Sequence, residues 1–269
     1  MKISVFDLDC KEAGKIEMPL QFQEPFRADL IKRAFESIRA NSRQRYGATP
    51  LAGKRYAPDL SRRRRHYRGS YGFGISRIPR KILVRRGTRM YWVGAQVPGT
   101  VGGRRAHPPK SEKQWAKHLN TKERKKALRS ALSAVLDKSL SEARGHLVPD
   151  NYPFIISEKF ESIDKTKKAI EALGKLGFSA DINRAKAKTQ RAGKGKSRGR
   201  RYLRKKSLLV VVSNKEAGLS KSARNIPGVD VVPADKLNVE LLAPGGVPGR
   251  LTLFTESAVR AIEEKGLFK

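Results

Sequence analysis

The sequence predicts an α/β protein: a mostly parallel sheet with helices on both faces, plus a long extended basic arm inserted between the first two main helices. Three observations carry that expectation. Short apolar runs of strand length alternate with amphipathic runs of helix length, the order that builds a parallel sheet covered on two sides. Residues 41–110 hold 18 Lys or Arg against a single acid, Asp59, with ten glycines, seven aromatics and no sustained periodicity. A second stretch, 184–206, adds 12 Lys or Arg and no acid. Of the formal net charge of +34, these two stretches leave only +5 for the other 176 residues. The expected division is therefore a globular domain from 1–40 and 111–269, carrying 184–206 as a basic excursion, and an arm from 41–110.

Taken in order, Lys2 to Asp7 alternates like a short strand, and Ile16 to Met18 makes a second. Pro25 stands near the start of a helix whose apolar face is Phe26, Leu30, Ile31, Ala34, Phe35 and Ile38, failing near Ser42. From there to Pro109 the chain is far longer than a loop in a compact domain. Pattern resumes at Thr121, read as an N-cap, and Leu128, Ala131, Leu132, Val135, Leu136 and Leu140 form one stripe ending before Gly145. A strand at Phe154 to Ile156 follows, then a helix from about Ile163 to Lys175 that stops at Gly177. Leu208 to Val212, Val229 to Val232 and Leu251 to Phe254 read as strands, and Thr255 caps a last helix over Glu256 to Lys265.

Composition excludes several chemistries. Cys10 is the only cysteine, so the chain forms no internal disulfide, and a structural zinc site would need four close Cys or His ligands. His66, His107, His118 and His146 are scattered and read as solvated or RNA-facing. Gly195-Lys196-Ser197 resembles the end of a phosphate-binding loop, but position 190 is Gln where that loop needs Gly. Gly72-Phe73-Gly74 fails the dinucleotide fingerprint at Arg77. Asp230, Asp235, Glu256, Glu263 and Glu264 read as caps and solvated faces. No catalytic residue, metal site or cofactor is expected. The longest apolar run, Leu208 to Val212, is far below the roughly 20 residues of a spanning helix, and Asp7 and Asp9 break any secretory pattern. The expectation is a soluble, intracellular protein with no membrane partner.

A pI near 10.7 with cations in runs is the footprint of polyanion binding. Arg62 to Arg65, His66, Tyr67, Arg68, Gly69, Ser70, Tyr71, Gly72 and Phe73 interleave guanidinium forks, flat rings and flexible hinges. Forks suit phosphates, rings stack on unpaired bases, and glycine admits close backbone approach. RNA is favoured over DNA because no helix in this region is predicted that would fill a major groove. The candidate RNA-binding residues are Arg43, Arg45, Lys54, Arg55, Arg62, Arg63, Arg64, Arg65, Arg68, Arg77, Arg80, Lys81, Arg85, Arg86, Arg104 and Arg105, and in the second stretch Lys194, Lys196, Arg198, Arg200 and Arg201.

Five strings in order resemble the universal L-four family of large-subunit ribosomal proteins, in its archaeal form. They are Ser76-Arg77-Ile78-Pro79-Arg80; Arg105-Ala106-His107-Pro108-Pro109 before Trp115; Arg129-Ser130-Ala131-Leu132-Ser133-Ala134; Ala192-Gly193-Lys194-Gly195-Lys196 through Arg200; and Leu241-Leu242-Ala243-Pro244-Gly245-Gly246. The end at Lys269 without a long basic tail fits the archaeal form. The resemblance implies an α/β domain on the outer part of the large subunit, and an arm threading ribosomal RNA to the peptide exit tunnel. It implies that Gly69, Ser70, Tyr71, Gly72, Phe73 and Gly74 line the tunnel, near the nascent peptide and opposite the arm of ribosomal protein twenty-two. By the same match Arg68, Tyr71, Phe73, Arg77 and Arg80 would contact RNA or line the constriction. The tip is about two residues shorter than the family pattern, and Ile82 to Val101 matches it poorly.

The implied role is structural. The arm neutralises phosphates and becomes ordered as RNA folds around it, which supports early subunit assembly. Two rivals from other classes are an RNA-modifying or RNA-cleaving enzyme with a basic substrate-binding arm, and a DNA-compacting protein. The first requires a cofactor loop or paired polar groups at the strand ends, and the sequence offers neither.

Overall fold

Alternation at the first strand already sorts its side chains between the two faces of the sheet. In β1 (Lys2–Phe6) Ile3 and Val5 are buried while Lys2 is exposed. The computed structural model describes all 269 residues and divides into two units, Met1–Ser42 with Ala116–Lys269, and Arg43–Trp115.

β1 turns at Cys10, which takes a left-handed φ of 59°, into the antiparallel β2 (Glu12–Glu17). This strand is longer than the run at Ile16 to Met18 suggested, because its residues are nearly all exposed and carry no apolar signature. Its charges suit an edge strand, where they oppose pairing with other chains. α1 (Ala28–Asn41) buries Ile31, Ala34 and Ser37. Within the basic segment lie β3 (Arg80–Arg86) and β4 (Arg89–Gly94). The stripe that begins at Thr121 is two helices rather than one, α2 (Thr121–Val135) and α3 (Lys138–Ala143). The break falls at Asp137, whose carboxylate accepts from the Ser139 N–H at 2.9 Å and caps α3. Asn120, not Thr121, is the cap position of α2.

β5 (Ile155–Ile156) leads through a 3-10 turn at Glu158–Ser162 to α4 (Thr166–Lys175), so the helix expected from Ile163 starts three residues later. α5 (Ser179–Lys186) continues it and enters the basic excursion, where Ala185 is fully buried. The excursion itself is a hairpin of β6 (Lys188–Gln190) and β7 (Tyr202–Arg204). Then follow β8 (Leu209–Val212), α6 (Gly218–Ser222), β9 (Asp230–Pro233), α7 (Val239–Leu242), β10 (Thr252–Thr255) and α8 (Glu256–Glu264). Thr255 caps α8 through Ala258 N–H, as its sequence position predicts.

The main sheet has the order β2-β1-β5-β10-β8-β9. Only β1–β2 is antiparallel; the other four pairings are parallel. Both faces are buried, and the period of two sorts the strands between two cores. Leu209, Val211 and Phe254 pack with Ile31, Leu132 and Ile262 from α1, α2 and α8. Val210, Val212 and Leu253 pack with Leu173, Ile182 and Leu219 from α4, α5 and α6. Edge-to-face rings, Phe22 on Phe254 with centroids 5.2 Å apart, join the first core to the chain entering α1. No helix is long and apolar enough to cross a membrane.

Candidate nucleic-acid interface

The basic segment Arg43–Trp115 is held by its own outgoing and returning legs. Ala48 N–H donates to Pro109 C=O at 2.9 Å, and Asp59 and Arg80 exchange both backbone hydrogen bonds at 3.0 and 3.1 Å. Between these points the Gln96 side-chain amide donates to the carbonyls of Lys54 and Tyr56, at 3.1 and 2.8 Å. Glycine is what lets the legs approach. A Cβ on Gly47 would lie 2.4 Å from Ser111 N, and one on Gly53 would lie 2.5 Å from Arg104 Cα. The β3–β4 hairpin extends the pairing. Reading 41–110 as free of sustained strand periodicity therefore missed a hairpin, because its apolar residues run together, Ile82 to Val84 and Met90 to Val93, without alternating. Leu83, Val84, Tyr91 and Val93 are all exposed.

With the backbones paired inward, the cations point out. Of the candidate residues in this unit, Arg43, Arg45, Lys54, Arg55, Arg62, Arg63, Arg64, Arg65, Arg77, Arg85, Arg86 and Arg105 are exposed, while Arg68, Lys81 and Arg104 are half-buried. Arg80 is different. It is buried, and its guanidinium donates to Ser76 C=O at 2.5 Å and Ile78 C=O at 3.4 Å, so the chain itself takes up much of its donor capacity. In the glycine-rich turn, Gly69 and Ser70 are buried, Tyr71 is half-buried, and Gly72, Phe73 and Gly74 are exposed. Gly72 and Gly74 take left-handed φ of 82° and 68°, a region closed to most side chains.

The rings are already engaged by the chain's own cations. Lys81 Nζ lies 3.3 Å from the Tyr56 centroid, and arginines lie over Tyr67, Tyr71, Tyr91 and Trp92. Tyr46 stacks on Trp115, which Arg43 covers at 4.0 Å. Each such ring holds a guanidinium or ammonium at a set position, so base-stacking and phosphate-binding groups come as preassembled pairs. Phe73 is 71% exposed. Lys113, 4.3 Å from the Trp115 ring, and Arg89 over Tyr91 belong to the same surface. Selecting by motif passed them over, although charge alone would have found them.

In the other unit, Lys194, Lys196, Arg198, Arg200 and Arg201 are exposed on the β6–β7 hairpin. Its root is a buried ionic cluster that sequence reading missed. Asp181 is fully buried and accepts from Arg184 Nε at 2.8 Å, Leu147 N–H at 3.0 Å and the Ser207 hydroxyl. His146 is buried too, its Nδ1 3.3 Å from both Asp181 oxygens and 3.0 Å from Arg184, which corrects the solvated reading of that histidine. Burial pushes the Asp181 carboxyl up, but its hydrogen bonds to His146, Arg184, Ser207 and Leu147 outweigh this and hold it well below the usual carboxylate range. Arg250, 1% exposed, donates to Ser207 C=O at 2.9 Å and to Asp230 at 2.6 Å. Asp230 also takes Lys206 at 2.8 Å, so it is an anchor rather than a solvated acid. The two carboxylates grip residues 184, 206 and 207, at both ends of the hairpin.

The sequence is similar to those of known proteins. Residues 16–265 match the family described as Ribosomal protein L4/L1 family. Large ribosomal subunit protein uL4 of Nanoarchaeum equitans is 44% identical over 268 residues, covering all of both chains. The protein of that name from Archaeoglobus fulgidus is 44% identical over 265 residues, 98% of this chain and 99% of the relative, and that from Methanopyrus kandleri is 42% identical over 270 residues. These relatives bear the name of a ribosomal component and not of an enzyme. With five sequence strings, a matched length of nearly the whole chain and full-length relatives in agreement, this chain belongs to the Ribosomal protein L4/L1 family.

Proposed function

We propose that the chain is a structural constituent of the large ribosomal subunit that binds ribosomal RNA and works without catalysis or cofactor. Residues 41–110 act as an arm threaded into RNA, the domain of 1–40 and 111–269 sits against the subunit and other large-subunit proteins, and the β6–β7 hairpin gives a second RNA contact. The tip around Gly69 to Gly74 lines the exit tunnel beside the nascent peptide and opposite ribosomal protein twenty-two. The protein then acts in the cytoplasm, within the ribosome.

The observation that carries this reading is the pairing of the two legs. It spends the backbone and glycines inward and leaves fifteen arginines and lysines outward in one unit that holds only two acids, Asp59 and Glu112. A surface of that kind is stable beside packed phosphates, where each cation displaces a condensed counterion. Separation of a source-cell lysate on a sucrose gradient in high salt tests it. Sedimentation with large subunits at about one copy each is expected; recovery in the soluble fractions overturns the reading.

A further inference from the structure

We propose that the arm carries a pocket for one unstacked guanine nucleotide, formed by Tyr56, Asp59, Arg68, Lys81 and Trp92. This rests on the RNA-binding reading and adds to it a recognition site.

The pocket is a cavity of about 310 Å³, within the size range of small-ligand sites. Its walls combine two aromatic rings with cations set on them: Lys81 Nζ is 3.3 Å from the Tyr56 centroid and the Arg80 guanidinium 5.1 Å from that of Trp92. Rings next to cations suit a stacked base followed by its phosphate.

The polar groups point to which base. Asp59 is the only acid between residues 41 and 110. On a surface that meets phosphates a carboxylate is repelled, and yet its side chain is 63% exposed. It is held in place by the two backbone hydrogen bonds between Asp59 and Arg80, at 3.0 and 3.1 Å. Its nearest cation, Arg68, stands at 3.9 Å, beyond hydrogen-bond length, so the pair does not consume its acceptors. Arg68 in turn keeps its Nε buried with no hydrogen-bond partner. It adopts a left-handed φ of 57°, and the following Gly69 has no room for a Cβ, which would lie 2.9 Å from His66 C=O. An acceptor pair beside the partly exposed Arg68 guanidinium, which lines the same cavity, is the complement of guanine, whose N1–H and N2–H₂ donors adjoin the O6 acceptor. Uracil and adenine lack adjacent donors for a carboxylate, and cytosine offers only one amino group.

The test uses the full-length protein and fluorescence-labelled RNA heptamers of uridine with guanosine, inosine, adenosine or cytidine at the centre, at one fixed salt concentration. The guanosine heptamer should bind about tenfold tighter than the uridine one, the scale of one bidentate base contact. Inosine, lacking the N2 amino group, should fall between them. In D59N the preference for guanosine over inosine and uridine should vanish, while affinity for the uridine heptamer holds or rises, since a repulsive charge has gone. A merely structural role for Asp59 would weaken all heptamers together, and that result overturns the proposal. Equal binding of all heptamers by the unaltered protein also overturns it, and if large-subunit RNA still binds, the RNA reading stands. Failure to bind either heptamers or large-subunit RNA overturns both.

Discussion

Replacing Asp181 by Asn removes one charge from a fully buried site. In the folded chain that carboxylate is the acceptor for Arg184, Ser207 and Leu147 N–H, with 0% exposure. Breaking a buried ion pair by removing one partner costs about 3–5 kcal/mol, because the other charge stays behind. Arg184 keeps 18% of its side chain exposed and can recover some hydration, so the lower end applies, about 3 kcal/mol. That is a large part of a typical stability of about 5–15 kcal/mol. Urea unfolding of the full chain at neutral pH measures it as a lower midpoint at unchanged slope. Hydrogen exchange should also quicken across 188–206, the hairpin whose ends the cluster holds. The pH dependence has a definite sign. The folded-state pKa of Asp181 is depressed below its unfolded value of about 3.9. Its stabilisation is therefore complete well above that value and is lost as pH falls through it toward the folded pKa. D181N should flatten the acid limb of the stability profile. A loss under about 1 kcal/mol, the scale of an exposed ion pair, would refute the view that Asp181 organises the hairpin root.

Other outcomes follow from the same geometry. Gly228→Ala would place a Cβ 2.7 Å from Ala185 Cβ and 2.8 Å from Lys205 C=O, at φ +78°; we expect a loss of at least about 1–3 kcal/mol, read as a lower melting temperature. If the arm neutralises about ten phosphates, log affinity for large-subunit RNA should fall against log salt with a slope of about −7 to −9, and a slope shallower than about −3 would contradict the arm as main contact. Changing Arg62 to Arg65 together to Ala should reduce both RNA affinity and incorporation into early assembly particles, with little change in melting temperature, since all four are exposed. Phe73→Ala should leave assembly and melting unaltered and change the cross-linking of nascent chains within the tunnel; an equal effect on assembly would remove the distinction between shaft and tip.

Hydrophobic periodicity determined the main sheet and the larger helices of this protein, because burial on both faces demands continuous apolar runs such as Leu208 to Val212. It also located the basic surface, since charge is a property of composition and needs no fold to be counted. The β3–β4 ribbon was not legible, for its apolar residues run together, Ile82 to Val84 and Met90 to Val93, and give no alternation to betray it. The division at Asp137 depended on one side chain turning back to cap a backbone N–H. Most of all, tertiary structure decided the roles of individual charges. Asp181, His146, Asp230 and Arg250 are ordinary polar letters in sequence, and only their convergence from separate elements, at positions 146, 181, 230 and 250, makes them a buried anchor. Arg80 and Arg77 look alike in the same string, yet one is buried against carbonyls and the other is exposed, resting over the Tyr71 ring. Long-range contact sets such distinctions, and it is absent from any local window of the chain.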